Sequence, residues 1–208
     1  MGLIHRWVVA ALLVPSLAAA TPEQTLAEVQ ASYAKVQQLQ GKFTQTFLNA
    51  TFGQTTNKKG SLYLVRPDKM RWDYSQTNNK GPSIIFDSKT LWVVEPENTQ
   101  VYEHKTIDPT LPAAIAFLNG GAKLATDFTV TSPKVDTLVL VPKQTNAGLK
   151  QLTFVIDPKT KRVVKSIVIN HNDDVNTFVF RLVEKPVDAK ILTFSPNRTP
   201  HFKIIHVE

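Results

Sequence analysis

The sequence predicts a mainly-β domain: an antiparallel sheet, curled or closed on itself, interrupted by two helical insertions. Three observations carry this. From Phe43 onward apolar residues recur at alternate positions. Clusters of turn-forming residues separate those runs at roughly 10–15 residue intervals. The apolar period lengthens to three and four in only two places, near the N-terminus and over Pro109 to Leu118. A length of 208 residues suits a single domain. With 42% hydrophobic and 20% charged residues, a wholly disordered chain is excluded. The chain has no cysteine. That removes disulfides, a thiol nucleophile, Cys-based zinc and iron–sulfur sites, and an acylated N-terminal cysteine. A net charge of +7 is below the density of a nucleic-acid binder, so no nucleic-acid partner is expected.

Residues 1–20 read as a signal peptide. His5 and Arg6 precede an apolar run from Trp7 to Val14, and Ala18-Ala19-Ala20 suits a signal peptidase. The run is too short to span a bilayer, which needs about 20 apolar residues. Cleavage is expected after Ala20, leaving 21–208 as one soluble, exported domain, periplasmic in a bacterium. The mature chain opens with a capping box: Thr21, Pro22 at the first helical position, and Gln24. Leu26, Val29, Tyr33, Val36 and Leu39 form one stripe, which predicts an amphipathic helix of about 18 residues ended by Gly41.

Alternation then begins with Phe43, Gln45 and Phe47, and continues through Leu62 and Leu64, then Met70, Trp72 and Tyr74. Turns are expected at Thr55 to Gly60, Pro67 to Lys69 and Asn78 to Pro82. A tight hairpin joins Ile84–Phe86 to Leu91–Val94 through Asp87-Ser88, and Pro96 to Asn98 turns the chain into Gln100–Tyr102. Pro109 to Leu118 reads as one or two short helices with an apolar face, closed by Asn119-Gly120-Gly121. Later strands are expected at Phe128–Thr131, Leu138–Val141, Leu149–Ile156, Val163–Asn170, Thr177–Val183, Leu192–Phe194 and Phe202–Ile205.

Such a sheet leaves two designs open. The helices pack outside a closed barrel, or they plug an open one. They can be the second layer of an inert core, or a movable cover over an apolar lumen for greasy ligands. Catalysis finds little support. The chain has no Gly-x-Ser-x-Gly elbow, no Walker loop and no His-Glu-x-x-His. His201 and His206 are five apart, which on a strand puts them on opposite faces, so no metal site and no cofactor is expected. Asp173-Asp174 reads as a solvated hairpin tip.

The segment from Gly60 to Tyr74 (a Gly, a short strand, Arg66-Pro67, then an aromatic-rich strand) resembles the outer-membrane lipoprotein carrier protein family, LolA. Phe43-Thr44-Gln45, Asp87 to Trp92, Pro96 with Gln100-Val101, Leu138 to Lys143 and Phe194-Ser195-Pro196 extend the resemblance over the mature chain. It implies an open, incomplete antiparallel barrel covered by a helical lid. It also implies a non-enzymatic, monomeric periplasmic chaperone. Such a carrier takes triacylated lipoproteins from the inner-membrane ABC transporter LolCDE and hands them to the outer-membrane receptor LolB. The receptor shares the fold but is anchored through a cysteine, which this chain lacks. By resemblance, Arg66 is the lid latch. Phe43, Phe47, Leu62, Leu64, Met70, Trp72, Tyr74 and Trp92 line the acyl cavity. Leu26, Val29, Tyr33, Val36, Ile115, Phe117 and Leu118 form the inner face of the lid. Val94 stands where the family commonly has an aromatic. The alternative from another class is an envelope sensor or regulator that binds a lipid signal on the same half-barrel.

Overall fold

The computed structural model describes residues 20–76, 80–105, 124–144 and 148–207. Their main feature is one twelve-stranded sheet. The first half comprises β1 (Gln38–Asn49), β2 (Gln54–Val65), β3 (Lys69–Ser75), β4 (Lys80–Asp87), β5 (Leu91–Glu95) and β6 (Gln100–His104). The second comprises β7 (Phe128–Lys134), β8 (Thr137–Pro142), β9 (Gln151–Ile156), β10 (Val163–Ile169) and β11 (Val175–Val183), with β12 (Lys203–Val207) at the C-terminus. The spatial order is β12-β6-β5-β4-β3-β2-β1-β11-β10-β9-β8-β7. Two meanders are thus joined where β1 pairs antiparallel with β11, Phe43 opposite Phe180. The outermost strands, β12 and β7, do not pair with each other, so the sheet is not a closed barrel. A flat sheet of this size would be roughly 50 Å wide at the usual strand spacing. Instead Leu91 of β5 and Leu138 of β8 belong to one hydrophobic core, because the sheet curls and turns both meanders inward.

The first helix, α1 (Pro22–Ala34), lies in the hollow of this curl. Its capping box forms as the sequence predicts: Gln24 N donates to Thr21 Oγ1 at 3.2 Å, and Thr21 N donates to Gln24 Oε1 at 2.9 Å. Leu26, Val29 and Tyr33 are its buried stripe. The helix is shorter than expected. Lys35 caps it, Val36 is buried just beyond it, and Leu39 is a strand residue. Leu39 fits both a spacing of three from Val36 and the alternation with Gly41 and Phe43; pairing with β2 decides for the strand. A four-residue helix, α2 (Leu124–Asp127), leads into β7. The expected helix over Pro109 to Leu118 lies outside the described residues, as does the signal peptide up to residue 19.

Gly41 is not a helix stop. It sits in β1 opposite Leu182, where a Cβ would come within 2.0 Å of the Arg181 carbonyl oxygen. Gly60 is equally constrained: a Cβ there would lie 2.0 Å from the Asp73 carbonyl oxygen and 2.6 Å from Phe43 Cε1. The turn expected at Thr55 to Gly60 is strand instead. β1 and β2 pair as far as Asn49 opposite Gln54, and the turn uses Gly53 at φ +65°. Gln54–Lys59 look turn-like in sequence because that arm of β2 is exposed and polar. The hairpin through Asp87-Ser88 forms as expected, with Asp87 Oδ1 accepting from Lys89 N and Thr90 N.

After β11 the chain crosses the outer face of the sheet. Val187 N donates to Gln38 Oε1 at 2.6 Å, Gln40 Nε2 donates to the Pro186 carbonyl at 2.6 Å, and Arg71 Nη1 donates to the Ile191 carbonyl at 3.1 Å. Leu192–Phe194 is not a strand; Ala189–Leu192 is a 3-10 turn that buries Leu192. The last strand, β12, runs parallel to β6, so the sheet is not wholly antiparallel. A crossing segment reverses the direction that a hairpin would have set.

Gly60→Ala is expected to lower stability by roughly 2–3 kcal/mol, as overpacking against backbone does. Gly53→Ala, with nothing within 4 Å of its Cβ, should cost only the left-handed backbone penalty of about 1 kcal/mol. Urea denaturation of the two variants measures the difference.

Candidate functional site: the apolar hollow of the sheet

Strand alternation builds the site. On β3, Met70, Trp72 and Tyr74 face the hollow, while Arg71 and Asp73 face out. Register carries the same face across the sheet: Leu62 opposite Trp72, Leu64 opposite Met70, and Gly60 between Phe43 and Tyr74. Phe43, Leu62, Leu64, Met70 and Trp72 are buried, none more than 2% exposed. Tyr74 packs against them partly buried, and Phe47, further along β1, is half-buried.

The centre is aromatic. The Phe43 and Trp72 rings are 4.5 Å apart and tilted by 51°, and Tyr74 meets Phe43 edge-on at 5.2 Å. Two residues that the sequence reading did not single out complete the cluster. Phe178 meets Trp72 edge-on at 5.4 Å, and Phe180 does so at 6.1 Å. The alternation Phe178, Phe180, Leu182 within the expected last long strand was the signal for them. Separations of this kind add favourable quadrupole contacts to the burial of large rings.

Leu26, Val29, Tyr33 and Val36 belong to the same hydrophobic core as these residues. Ile115, Phe117 and Leu118 lie outside the described residues. Trp92 does not belong to the hollow. In the β4–β5 register Leu91 opposes Phe86 on the inner face, which turns Trp92, opposite Ile85, to the outer face. There its indole Nε1 donates to Asp87 Oδ2 at 3.1 Å and its ring lies 5.0 Å from Phe194. Val94 shares that outer face, so its departure from an aromatic leaves the hollow unchanged.

Two polar side chains bear on the hollow, Tyr33 within its core and Arg66 close enough for its charge to act on Tyr33. Tyr33 accepts a hydrogen bond from Val163 N at 3.2 Å. Burial pushes its phenol up to about 12, opposed by that hydrogen bond and by the charges of Arg162 and Arg66. Arg66 donates its backbone N–H to the Gln37 carbonyl at 2.9 Å. Its Nη1 is buried with no hydrogen-bond partner among the described residues, a costly state for a guanidinium group. Burial likewise pushes the Tyr74 phenol up to about 12, opposed by the neighbouring Trp72 indole.

The other candidates stay apart. His206 pairs with Glu103 across β12 and β6, whereas the His201 ring packs on Phe202. Asp173 sits at a hairpin tip with φ 62°, held by Lys150 at 2.5 Å. The hollow therefore offers apolar surface and no assembled reactive groups among the described residues. Its chemistry is solvation: it can exchange contacts among its own side chains for contacts with a guest's methylenes.

The profile of a family described as "Outer membrane lipoprotein carrier protein LolA" matches residues 34–195. The outer-membrane lipoprotein carrier protein of Coxiella burnetii (strain RSA 331 / Henzerling II) is 26% identical over 168 residues, covering 76% of this chain and 77% of its own. That of Histophilus somni (strain 129Pt) is 26% identical over 187 residues, covering 89% and 90%. A crystal structure of an uncharacterized conserved protein from Thermus thermophilus shares the fold at a TM-score of 0.56, with 10% identity over 89% of this chain and 98% of that one.

Trp72→Ala is expected to destabilise the protein by about 3–5 kcal/mol, since it empties the middle of the cluster. The tyrosines predict an alkaline limit. Tyr33's folded-state value lies above the ordinary value near 10, so the stabilisation from its neutral form is complete below pH 10 and is lost as pH rises through about 12. Denaturation free energies should hold steady up to about pH 9.5 and then fall, with less of a fall in Tyr33→Phe.

Proposed function

Because the chain belongs to the LolA family of outer-membrane lipoprotein carrier proteins, we propose that it is a periplasmic carrier of lipoproteins. On this reading residues 1–20 are removed on export and 21–208 act as one domain. The carrier takes triacylated cargo from an inner-membrane ABC transporter of the LolCDE type. It then passes the cargo to an outer-membrane receptor of the LolB type, with no catalytic step. The observation that supports this best is the aromatic hollow whose core α1 shares.

Energetics sets how such a site must work. Three acyl chains of roughly 15 methylenes each, at about 0.8 kcal/mol per methylene, would give on the order of 36 kcal/mol if fully buried. Non-covalent affinity saturates at about 18–21 kcal/mol. Opening the protein supplies an offset. Met70, Trp72, Leu62 and Leu64 are at most 1% exposed, so no guest reaches them unless the cover moves. On this reading α1 belongs to the lid, and the family resemblance assigns Ile115, Phe117 and Leu118, which lie outside the described residues, to its inner face. The lid's closed state is held by Arg66, whose buried Nη1 is suited to clasp carbonyl oxygens at a helix end. Cargo then binds with the difference between two large terms, which permits release to a receptor.

The test uses spheroplasts with labelled new lipoproteins and purified 21–208 in the medium. Lipoprotein should appear in a soluble complex with the added protein, and not with a heat-denatured sample. Failure of folded protein to release any lipoprotein, alongside an active reference carrier, would refute the reading. Arg66→Leu should still fold and take up cargo but pass on several-fold less of it. Normal transfer by that variant removes the latch while leaving the carrier intact.

A further inference from the structure

The outer face of the sheet carries a second site, separated from the hollow by the sheet itself. A cleft of about 550 Å3 opens between β2–β5 and the segment that crosses them after β11. This volume is in the range of small-ligand pockets. Its apolar wall is Ile85, Val94, Phe194 and Phe202, and the Trp92 ring at 5.0 Å backs Phe194. Opposite stands a polar cluster built by the outward residues of β3 and β4. Arg71 Nε lies 2.8 Å from both Asp73 carboxylate oxygens, and Ser83 Oγ donates to Asp73 Oδ1 at 2.6 Å.

Arg71 is not saturated by these contacts. Among the described residues its Nη1 has one acceptor, the Ile191 carbonyl, and its Nη2 has only Ser83 Oγ at 3.5 Å. Five N–H groups are available on a guanidinium, so donors remain for a ligand. The Arg71 side chain is 26% exposed, which leaves it reachable from the cleft. Lys190 lines the same cleft. Arg71 and Lys190 against Asp73 leave one net positive charge among the described lining residues.

The geometry points to a binding site for a monoanionic amphiphile, a molecule with one carboxylate or phosphate-type charge on an apolar body. The spare guanidinium donors and Lys190 take the anion. The wall of Ile85, Val94, Phe194 and Phe202 takes the body. A free inorganic anion would leave that wall unused, and a neutral lipid would leave the charge uncompensated. The site does not rest on the carrier reading, since it uses the opposite face of β3.

A palmitate analogue bearing a diazirine on its chain tests this by photo-cross-linking and peptide mapping on folded 21–208. Labelling is expected on peptides containing Phe194 and Phe202, and palmitate should compete about tenfold better than hexadecanol. Lys190→Gln, an exposed change, should lower that labelling several-fold. Thr193→Trp, at the exposed rim, should block it by filling the cleft. Labelling confined to peptides of the inner face overturns the proposal. So does equal competition by hexadecanol, or outer-face labelling unmoved by either substitution. Inner-face labelling itself reports on the carrier reading, so the two ideas fail separately.

Discussion

The ring of Phe43 occupies the space above Gly60, and much of the interior follows from that. Phe43, Gly60 and Tyr74 stand in one row on three adjacent strands. Two strand spacings would hold the outer pair roughly 9–10 Å apart. With no side chain between them, the rings of Phe43 and Tyr74 meet at 5.2 Å. Trp72 closes on Phe43 at 4.5 Å from the neighbouring row, and Phe178 and Phe180 complete the group from β11. The glycine also lets β2 and β3 approach more closely than a Cβ would allow. Gly41 provides the same freedom between β1 and β11, so the seam joining the two meanders lies where backbones can crowd. The curl of the sheet and the aromatic lining of its hollow thus share one cause.

Alternation along single strands gives the protein two different surfaces. β3 turns Met70 and Trp72 inward and Arg71 and Asp73 outward. The inner set is apolar and buried in the core that α1 shares. The outer set ties down the chain that crosses the back of the sheet, through Arg71 and the Ile191 carbonyl. Gln38 and Gln40 do the same further along. The back of the sheet is therefore fastened by contacts separate from those of the hollow.

Much of this is legible in the sequence. Alternation finds most strands, the Thr21–Gln24 capping box fixes the start of α1, and Leu62, Leu64, Met70 and Trp72 share the inner face that their spacing implies. The misreadings have local causes. Leu39 satisfies both a helical and a strand period, and only its pairing with β2 separates them. The polar arm Gln54–Lys59 resembles a turn because neither of its faces is buried. Trp92 suggests the hollow by family resemblance, whereas the register with β4 sends it outward. The parallel direction of β12 cannot be read locally, since it depends on where the crossing segment ends.

Pairing between β1 and β11 has a consequence for how the molecule is made. Gln40 and Val183 are partners although almost the whole domain separates them in the chain. The first meander can form hairpins as soon as it is synthesised, but its Phe43 and Trp72 have no Phe178 and Phe180 to close on until the chain is nearly complete. Such distant contacts have a large loop-closure cost and slow folding. The nascent protein therefore presents an unfinished apolar half to its surroundings, and its maturation is gated by its last third rather than its first.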